Sequence, residues 1–221
     1  MNKESVSYSE YLRNNYPITD IMCGKPRNPI YGVGINDSDY KTQPYDEEGN
    51  RLKCPAYKSW INMLQRAYDI KYKEKNPTYR DVTVCNEWLI FSNFRKWWIE
   101  NHVDGWQLDK DILSPHNKVY SSDTCIYVPS WLNSFILSCK GGRGKYKIGV
   151  SWDTKTENFR VHCCDQRTKK QKHVGRFKTE DEAHDAWLKR KLEIALDLKS
   201  EMDQVDLRIY PCIIRIIKIT V

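Results

Sequence analysis

The sequence predicts an α+β fold: a helical first part, a short strand–loop–strand–helix unit, and last a three-stranded sheet backed by one helix. Two observations predict it. Apolar residues between positions 57 and 98 recur at three- and four-residue steps, the period of an amphipathic helix. Between positions 146 and 178, three short segments rich in β-branched and aromatic residues are separated by polar turns, which is typical of antiparallel strands.

The first half of the chain changes character at Pro55. Residues 1–54 show little periodicity and are rich in Gly, Pro, Asn and Asp, so we predict an irregular N-terminal segment. An apolar stripe then predicts a helix up to Tyr68, followed by a mostly polar linker over 69–83. Asn86 is placed to cap a second helix. We assign the aromatic stripe of that helix to the core rather than to base stacking, and it comprises Trp88, Phe91, Phe94, Trp97 and Trp98.

A compact unit is predicted from Trp106 to Ile136. WQLDKDIL alternates like a strand, SPHNKVYSSDT is a polar loop, CIYVP is a second strand and SWLNSFIL is a helix. The Gly-rich stretch 140–145 predicts a flexible linker. These signals divide the remaining chain into domains 55–139 and 146–201 and an apolar tail, 202–221. The tail is too short to span a membrane, and we expect it to cover a sheet edge or to mediate pairing.

The unit that follows the linker has the clearest pattern. Three strands, YKIGVSWD, NFRVHCCD and KHVGRFK, precede a capping box formed by Thr179 and Glu182. The helix that begins there is predicted to point Ala183, Ala186, Trp187, Ile194 and Leu198 inward. Because side chains alternate along a strand, Phe159, Val161 and Cys163 are predicted to face this helix. The opposite face is then predicted to carry Arg160, His162 and Cys164.

Positive charge is concentrated in this unit. The formal net charge of the whole chain is +7, while residues 143–178 alone hold eleven Lys and Arg against three acids. A localised basic patch is the electrostatic footprint of a polyanion partner, although a solvated basic face has the same composition. The eight cysteines include no CxxC pair, which favours free thiols over a zinc site.

Residues 145–199 resemble the AP2 DNA-binding domain. The motifs that carry the resemblance are Gly149-Val150, Phe159-Arg160-Val161, Val174-Gly175-Arg176-Phe177, Thr179, Glu182-Ala183 and Ala186. The resemblance implies that the sheet enters the major groove of DNA and reads base edges. The base-reading positions then fall on Lys147, Ser151, Asp153, Arg160, His162, Cys164, Gln171 and His173. Few of these residues are Arg, so the set departs from the plant-type pattern. Together with the basic patch, this gives the predicted DNA-binding residues Lys147, Ser151, Arg160, His162, Arg167, Lys169, Lys170, Lys172, His173 and Arg176.

Residues 57–135 resemble the HNH (His-Me finger) nucleases of bacteriophages and mobile introns, which often carry an AP2 domain behind the nuclease. The motifs are Trp60-x-x-Met63, Arg66, Tyr68, Tyr79, the run 82–88 (VTVCNEW), Phe91, Phe94, Leu108-Asp109-Lys110, Asn117, Tyr120, Thr124-Cys125, Val128 and Asn133. The resemblance implies a ββα-metal unit embedded in helices. It also implies one Mg²⁺ or Mn²⁺ ion held by Asp109 and Asn133, with Asp111 as an alternate ligand.

Two positions depart from the nuclease pattern. Lys110 stands where the family has its general-base His, and Thr124 where the family has an Asn that ties the loop. A lysine is normally protonated at neutral pH and is a poor base. His116 is the nearest substitute, whereas His102 is expected to have no role; alternatively Lys110 contacts phosphate and the metal alone activates water. The predicted catalytic residues are therefore Lys110, His116 and Asp111.

The expected function is that of a phage-type HNH homing endonuclease, which cleaves or nicks double-stranded DNA at a site read by the AP2-like sheet. The alternative is a catalytically inactive DNA-binding protein on a degenerate HNH scaffold. A third interpretation is a phage protein that binds a host nucleic-acid enzyme. No membrane partner and no small-molecule cofactor are expected. Because the N-terminus has no apolar signal core, the expected location is the cytoplasm of the bacterial host cell.

Overall fold

The computed structural model describes residues 3–18, 28–136 and 145–219 of the chain. Over these residues the protein has mixed α+β structure with eight α-helices and a three-stranded antiparallel sheet, which confirms the coarse fold class. The chain forms two compact units. The first comprises Met1–Lys110 and His116–Tyr127, and the second comprises Asp111–Pro115 and Val128–Val221.

The first unit is built of short strands among helices. Its elements are α1 (Glu4–Asn15), α2 (Pro55–Tyr68), α3 (Ile70–Lys75), a 3-10 helix (Pro77–Tyr79), β1 (Thr83–Val84), a 3-10 helix (Asn86–Leu89), α4 (Phe91–Asn101), β2 (Gln107–Asp109), β3 (Val119–Tyr120) and β4 (Ile126–Val128), whose last residue belongs to the second unit. Strands β1 and β3 pair in parallel, and β2 pairs with β4.

The core of the first unit is aromatic, as the stripes in α2 and α4 predict. Trp60, Phe91, Phe94 and Trp98 are all 0% exposed. The Trp60 indole N–H donates to the Trp88 carbonyl at 2.6 Å, so the buried indole keeps a hydrogen-bond partner. The base-stacking role that we set aside for this stripe would require exposed rings.

Three details of the first unit differ from the sequence prediction. Residues 1–54 are not irregular throughout, because α1 forms there and buries Leu12 in the core. The predicted linker 69–83 contains α3, whose first turn is capped by Asp69 accepting the Tyr72 N–H at 3.1 Å. Asn86 begins a 3-10 helix rather than capping α4, which starts at Phe91 without a side-chain cap.

The second unit contains the sheet. Its elements are α5 (Ser130–Ile136), β5 (Val150–Asp153), β6 (Asn158–Asp165), β7 (Lys170–Phe177), α6 (Glu180–Asp197), α7 (Lys199–Val205) and α8 (Ile209–Ile219). The strand order is β5-β6-β7, and both pairings are antiparallel. The predicted linker 140–145 lies outside the described residues, apart from Lys145.

Helix α6 packs on one face of this sheet. Its first turn has the predicted capping box, with the Thr179 hydroxyl accepting the Glu182 N–H and the Glu182 carboxylate accepting the Thr179 N–H. Val161 and Cys163 of β6 are buried on the side facing α6, as the strand alternation predicts. The alternating residues of β6 therefore point away from the helix.

The C-terminal tail is helical. In α8, Ile209, Ile213 and Ile217 are buried at four-residue spacing, so one stripe of the helix packs within the second unit, against α6 among others. The described tail residues thus make helix–helix contacts rather than cover a sheet edge, and the alternative role in pairing stays a prediction. None of the helices in the described residues is both long and apolar enough to cross a membrane.

Candidate functional site

The exposed face of the sheet brings together half of the residues that the sequence predicts to bind DNA. Directly paired residues share a face, and the register pairs Arg160 with Ser151 on one side and with Arg176 on the other. One step along, His162 pairs with His173. We call this surface the basic sheet face, and its members are Ser151, Asp153, Asn158, Arg160, His162, Cys164, Gln171, His173 and Arg176.

A β-bulge in β7 determines which residues of this strand lie on the basic sheet face. His173 and Arg176 are three residues apart in β7, and in a regular strand they would point to opposite sides. The register of β7 against β6 shifts between Val161 and His162, which leaves Val174 as the extra residue. Both side chains therefore lie on the same side as Arg160. The sequence signal for this bulge was Gly175, since a glycine inside a strand often marks one.

The electrostatics of the face are dominated by its two arginines. Arg160 is exposed, and the Arg176 Nε lies 3.7 Å from the Asp153 carboxylate. Backbone hydrogen bonds, the strongest from Lys155, hold the pKa of Asp153 below its usual value, and Arg160 adds to the effect. The carboxylate of Asp153 therefore stays ionised beside Arg176.

Two of the predicted cations are held elsewhere. The Lys147 ammonium lies 2.7 Å from Asp181 in the first turn of α6, and this hydrogen bond raises the pKa of Lys147. Arg167, in the β6–β7 turn, forms an ion pair with Glu201 of α7. These ion pairs are exposed and break at low cost, but they direct both side chains toward helices rather than toward the basic sheet face.

The remaining lysines lie toward one end of the sheet. Lys169 belongs to the β6–β7 turn. Lys170 and Lys172 pair with Asp165 and Cys163, which places them on the opposite side from His173. All three lysines are exposed. Lys170 and Lys172 therefore do not line the basic sheet face.

Two residues of the nuclease-like motif, Lys110 and Asn117, are hydrogen-bonded to each other in the first unit. Lys110 is only 6% exposed, and its ammonium donates to the Asn117 carbonyl at 3.2 Å and lies 5.8 Å from the centre of the Tyr120 ring. The Asn117 side-chain amide donates back to the Lys110 carbonyl at 3.3 Å. This reciprocal pair closes the loop between β2 and β3, so Lys110 has a structural role in this conformation. In the sequence, Asn117 was identified only as a member of the motif.

Thr124, where the resemblance implies a loop-tying Asn, makes hydrogen bonds to the chain on either side of the β3 end. Its hydroxyl donates to the Val119 carbonyl at 2.8 Å and accepts the Ser121 N–H at 3.1 Å. Next to it, burial raises the pKa of the Cys125 thiol to about 12, so this thiol stays protonated. His116 is exposed and lies in a turn, with a positive φ of 66°.

The predicted metal ligands are divided between the two units. Asp109 is buried, 7% exposed, at the end of β2 in the first unit, whereas Asp111 and Asn133 belong to the second unit, Asn133 within α5. Across the described ranges 3–18, 28–136 and 145–219, no three His, Cys, Asp or Glu side chains are grouped to hold a metal ion.

Comparison with known proteins identifies no relative: no family model matches the chain, and no curated protein or solved structure matches it.

Proposed function

We propose that this protein binds double-stranded DNA through the basic sheet face. The observation that supports the proposal is the row Ser151–Arg160–Arg176, extended by the His162–His173 pair, on a face exposed to solvent. Among the described members of this face, Asp153 is the one carboxylate. A basic surface of this kind attracts the phosphate backbone, and this attraction supplies most of non-specific affinity.

The shape of the sheet suits a duplex. A small antiparallel sheet or ribbon fits the major groove, which is about 12 Å wide. The arginines are placed to contact phosphates or the acceptor edge of guanine, and the serine and histidine side chains offer further hydrogen-bonding groups. Lys169, in the β6–β7 turn, is placed to extend the contact along the backbone, whereas Lys170 and Lys172 lie on the opposite side of the sheet.

Charge removal and salt dependence test the proposal. Arg160→Ala and Arg176→Ala are expected to weaken binding to a duplex and to reduce the slope of log affinity against log salt by about 0.9 per lost phosphate contact. The effect of Lys147→Ala is expected to be smaller, because Lys147 pairs with Asp181. Lys189→Ala is the matched control, since Lys189 is exposed on α6 beside α8. Binding that is independent of salt, or equally weakened by all four changes, contradicts the proposal.

Metal-dependent cleavage by a phage-type HNH endonuclease is the second candidate. It is favoured by the buried Asp109 carboxylate at the end of a strand that pairs with β4, as the nuclease resemblance implies. Against it, Lys110 replaces the expected general base and is engaged by Asn117. That engagement supports the alternative, a DNA-binding protein on a scaffold that no longer cleaves.

Plasmid nicking separates these two candidates. If the site is active, the wild-type protein cuts in Mg²⁺ or Mn²⁺ but not in EDTA, and Asp109→Ala and Asn133→Ala abolish cutting while leaving DNA affinity intact. Lys110→His is expected to raise cutting if the lysine displaced a general base, and to lower it if the lysine contacts phosphate. If neither the wild type nor Lys110→His cuts DNA to which it binds, the nuclease candidate fails and the DNA-binding proposal stands.

A further inference from the structure

Two histidines face each other across strands in the middle of the basic sheet face. His162 and His173 are directly paired residues of β6 and β7, and their ring centres are 5.1 Å apart at an interplanar angle of 53°. His173 is exposed and His162 is half-buried. The two imidazoles therefore lie next to each other on the proposed DNA-binding surface.

The surroundings of His162 disfavour charging this imidazole in the free protein. Arg160 on β6 and Arg176 on β7 lie on the same face, and Asp153 on β5 is the carboxylate that faces them. Burial lowers the pKa of His162, and Arg160, His173 and Arg176 lower it further.

The remaining neighbours do not offset this repulsion. Cys164 and Gln171 flank the pair without contributing an anion. On the opposite side of the sheet, the charges that act on Cys163 are the cations Lys191 and Arg190 of α6 and the acid Asp165 at the end of β6. Protonating both rings would place four cations beside a single carboxylate.

We propose that this histidine pair couples DNA binding to proton uptake, so that the affinity of the basic sheet face for duplex DNA rises as the pH falls. The proposal rests on the proposed function. A phosphate laid against the face supplies the negative charge that the free protein lacks there, and it therefore stabilises the imidazolium forms. Protons taken up on binding make affinity depend on pH by thermodynamic linkage.

Linkage fixes the direction and size of the effect. Each imidazole that is neutral in the free protein and protonated in the complex increases affinity by about tenfold for each pH unit of acidification. This increase in affinity applies at pH values between the pKa of that imidazole in the free protein and its higher pKa in the complex. Below the pKa of the free protein, affinity no longer depends on pH through this group. Two such imidazoles give a limit of about a hundredfold per pH unit.

Fluorescence anisotropy provides the direct test. The full-length protein is titrated into a labelled random-sequence duplex of about 20 base pairs, roughly two helical turns, from about pH 5.5 to about pH 8 at constant ionic strength. We expect the dissociation constant to fall by about tenfold or more over the acidic half of this range. His162→Gln and His173→Gln each reduce this slope, and the double variant loses most of it. Lys189→Gln, on α6, is the control that keeps the slope.

A second measurement uses the unaltered protein, so it does not depend on how the variants fold. Calorimetric titration of the same duplex in two buffers of different ionisation enthalpy gives the number of protons taken up per complex. An uptake of about one to two protons near pH 6.5 supports the proposal. Circular dichroism at each pH verifies that the protein remains folded.

The outcomes separate the two proposals. If the protein binds the duplex in a salt-dependent manner but takes up no protons and shows no slope that depends on His162 and His173, the proton linkage is overturned while DNA binding stands. If no duplex is bound at any pH and at low salt, the proposed function fails and the linkage fails with it.

Discussion

At the scale of single residues, Gly149 is a position where neither the backbone nor the packing leaves room for a side chain. Its φ is +79°, and a Cβ built on it would lie 1.9 Å from the Trp187 side chain, so the indole of α6 packs directly on the glycine. Any side chain here requires both a left-handed backbone and a displaced tryptophan.

We therefore expect Gly149→Ala to lower the free energy of unfolding by about 2 to 4 kcal/mol, measured by urea denaturation. Gly105→Ala is the control for backbone strain alone, because Gly105 has a φ of +78° but no atom within 4 Å of the position that a Cβ would take. Its expected cost is about 1 kcal/mol. Equal losses from the two changes would show that packing of Trp187 on Gly149 contributes nothing.

The surroundings of His102 determine the pKa of its imidazole. Its ring stacks on that of Trp98 with the ring centres 4.2 Å apart, and its Nε2 lies 3.2 Å from the Asp104 carboxylate. Burial lowers the pKa of His102 below 6.5 and outweighs the raising effect of Asp104. The folded state therefore binds fewer protons here than the unfolded state does.

It follows that the contribution of His102 to stability is complete above the unfolded pKa and is lost as the pH falls through the folded value. The free energy of unfolding is expected to be lower at about pH 5 than at about pH 7.5, and His102→Gln is expected to reduce that difference. Urea denaturation at the two pH values measures it. A difference of the same size in His102→Gln would assign the acid sensitivity to other groups.

At the scale of elements, the composition of the C-terminal tail did not predict how helix α8 packs. Ile213 is 0% exposed within the second unit, whereas Ile219 is 52% exposed at the end of the same helix. The same residue type thus occupies a core position and a surface position within about two helical turns.

Ile213→Asp is expected to destabilise the protein by about 3 kcal/mol or more, because it removes buried apolar surface and buries an unpaired carboxylate. Ile219→Asp is expected to change stability by less than about 0.5 kcal/mol. Thermal denaturation followed by circular dichroism compares them. If both variants melt together with the wild type, α8 does not pack in solution as it does here.

At the scale of the whole molecule, charge and hydrophobicity are divided unevenly along the chain. The first unit holds the aromatic core around Trp60 and Trp98. The second unit holds the basic stretch, in which eleven cations outnumber three acids between residues 143 and 178. An electrostatic partner is therefore expected to bind the second unit, and salt is expected to weaken that binding.

Sequence alone determined the features that depend on neighbours along the chain. The capping box at Thr179 and Glu182, the three strands before it and the burial of Val161 follow from local hydrogen bonding and from a period of two. Helix α1 was not predicted, because Ser9 and Leu12 are its only buried residues and leave almost no apolar stripe to detect.

Only the tertiary structure decided which charges meet. Strand alternation cannot place His173 and Arg176 on one face, and the bulge at Val174 does so by shifting the register of β7 against β6. Likewise the positions of Asp181 and Asn117 determine where Lys147 and Lys110 point. The reason is physical: a side chain's face and its partner depend on contacts between residues distant in sequence, which no local period encodes.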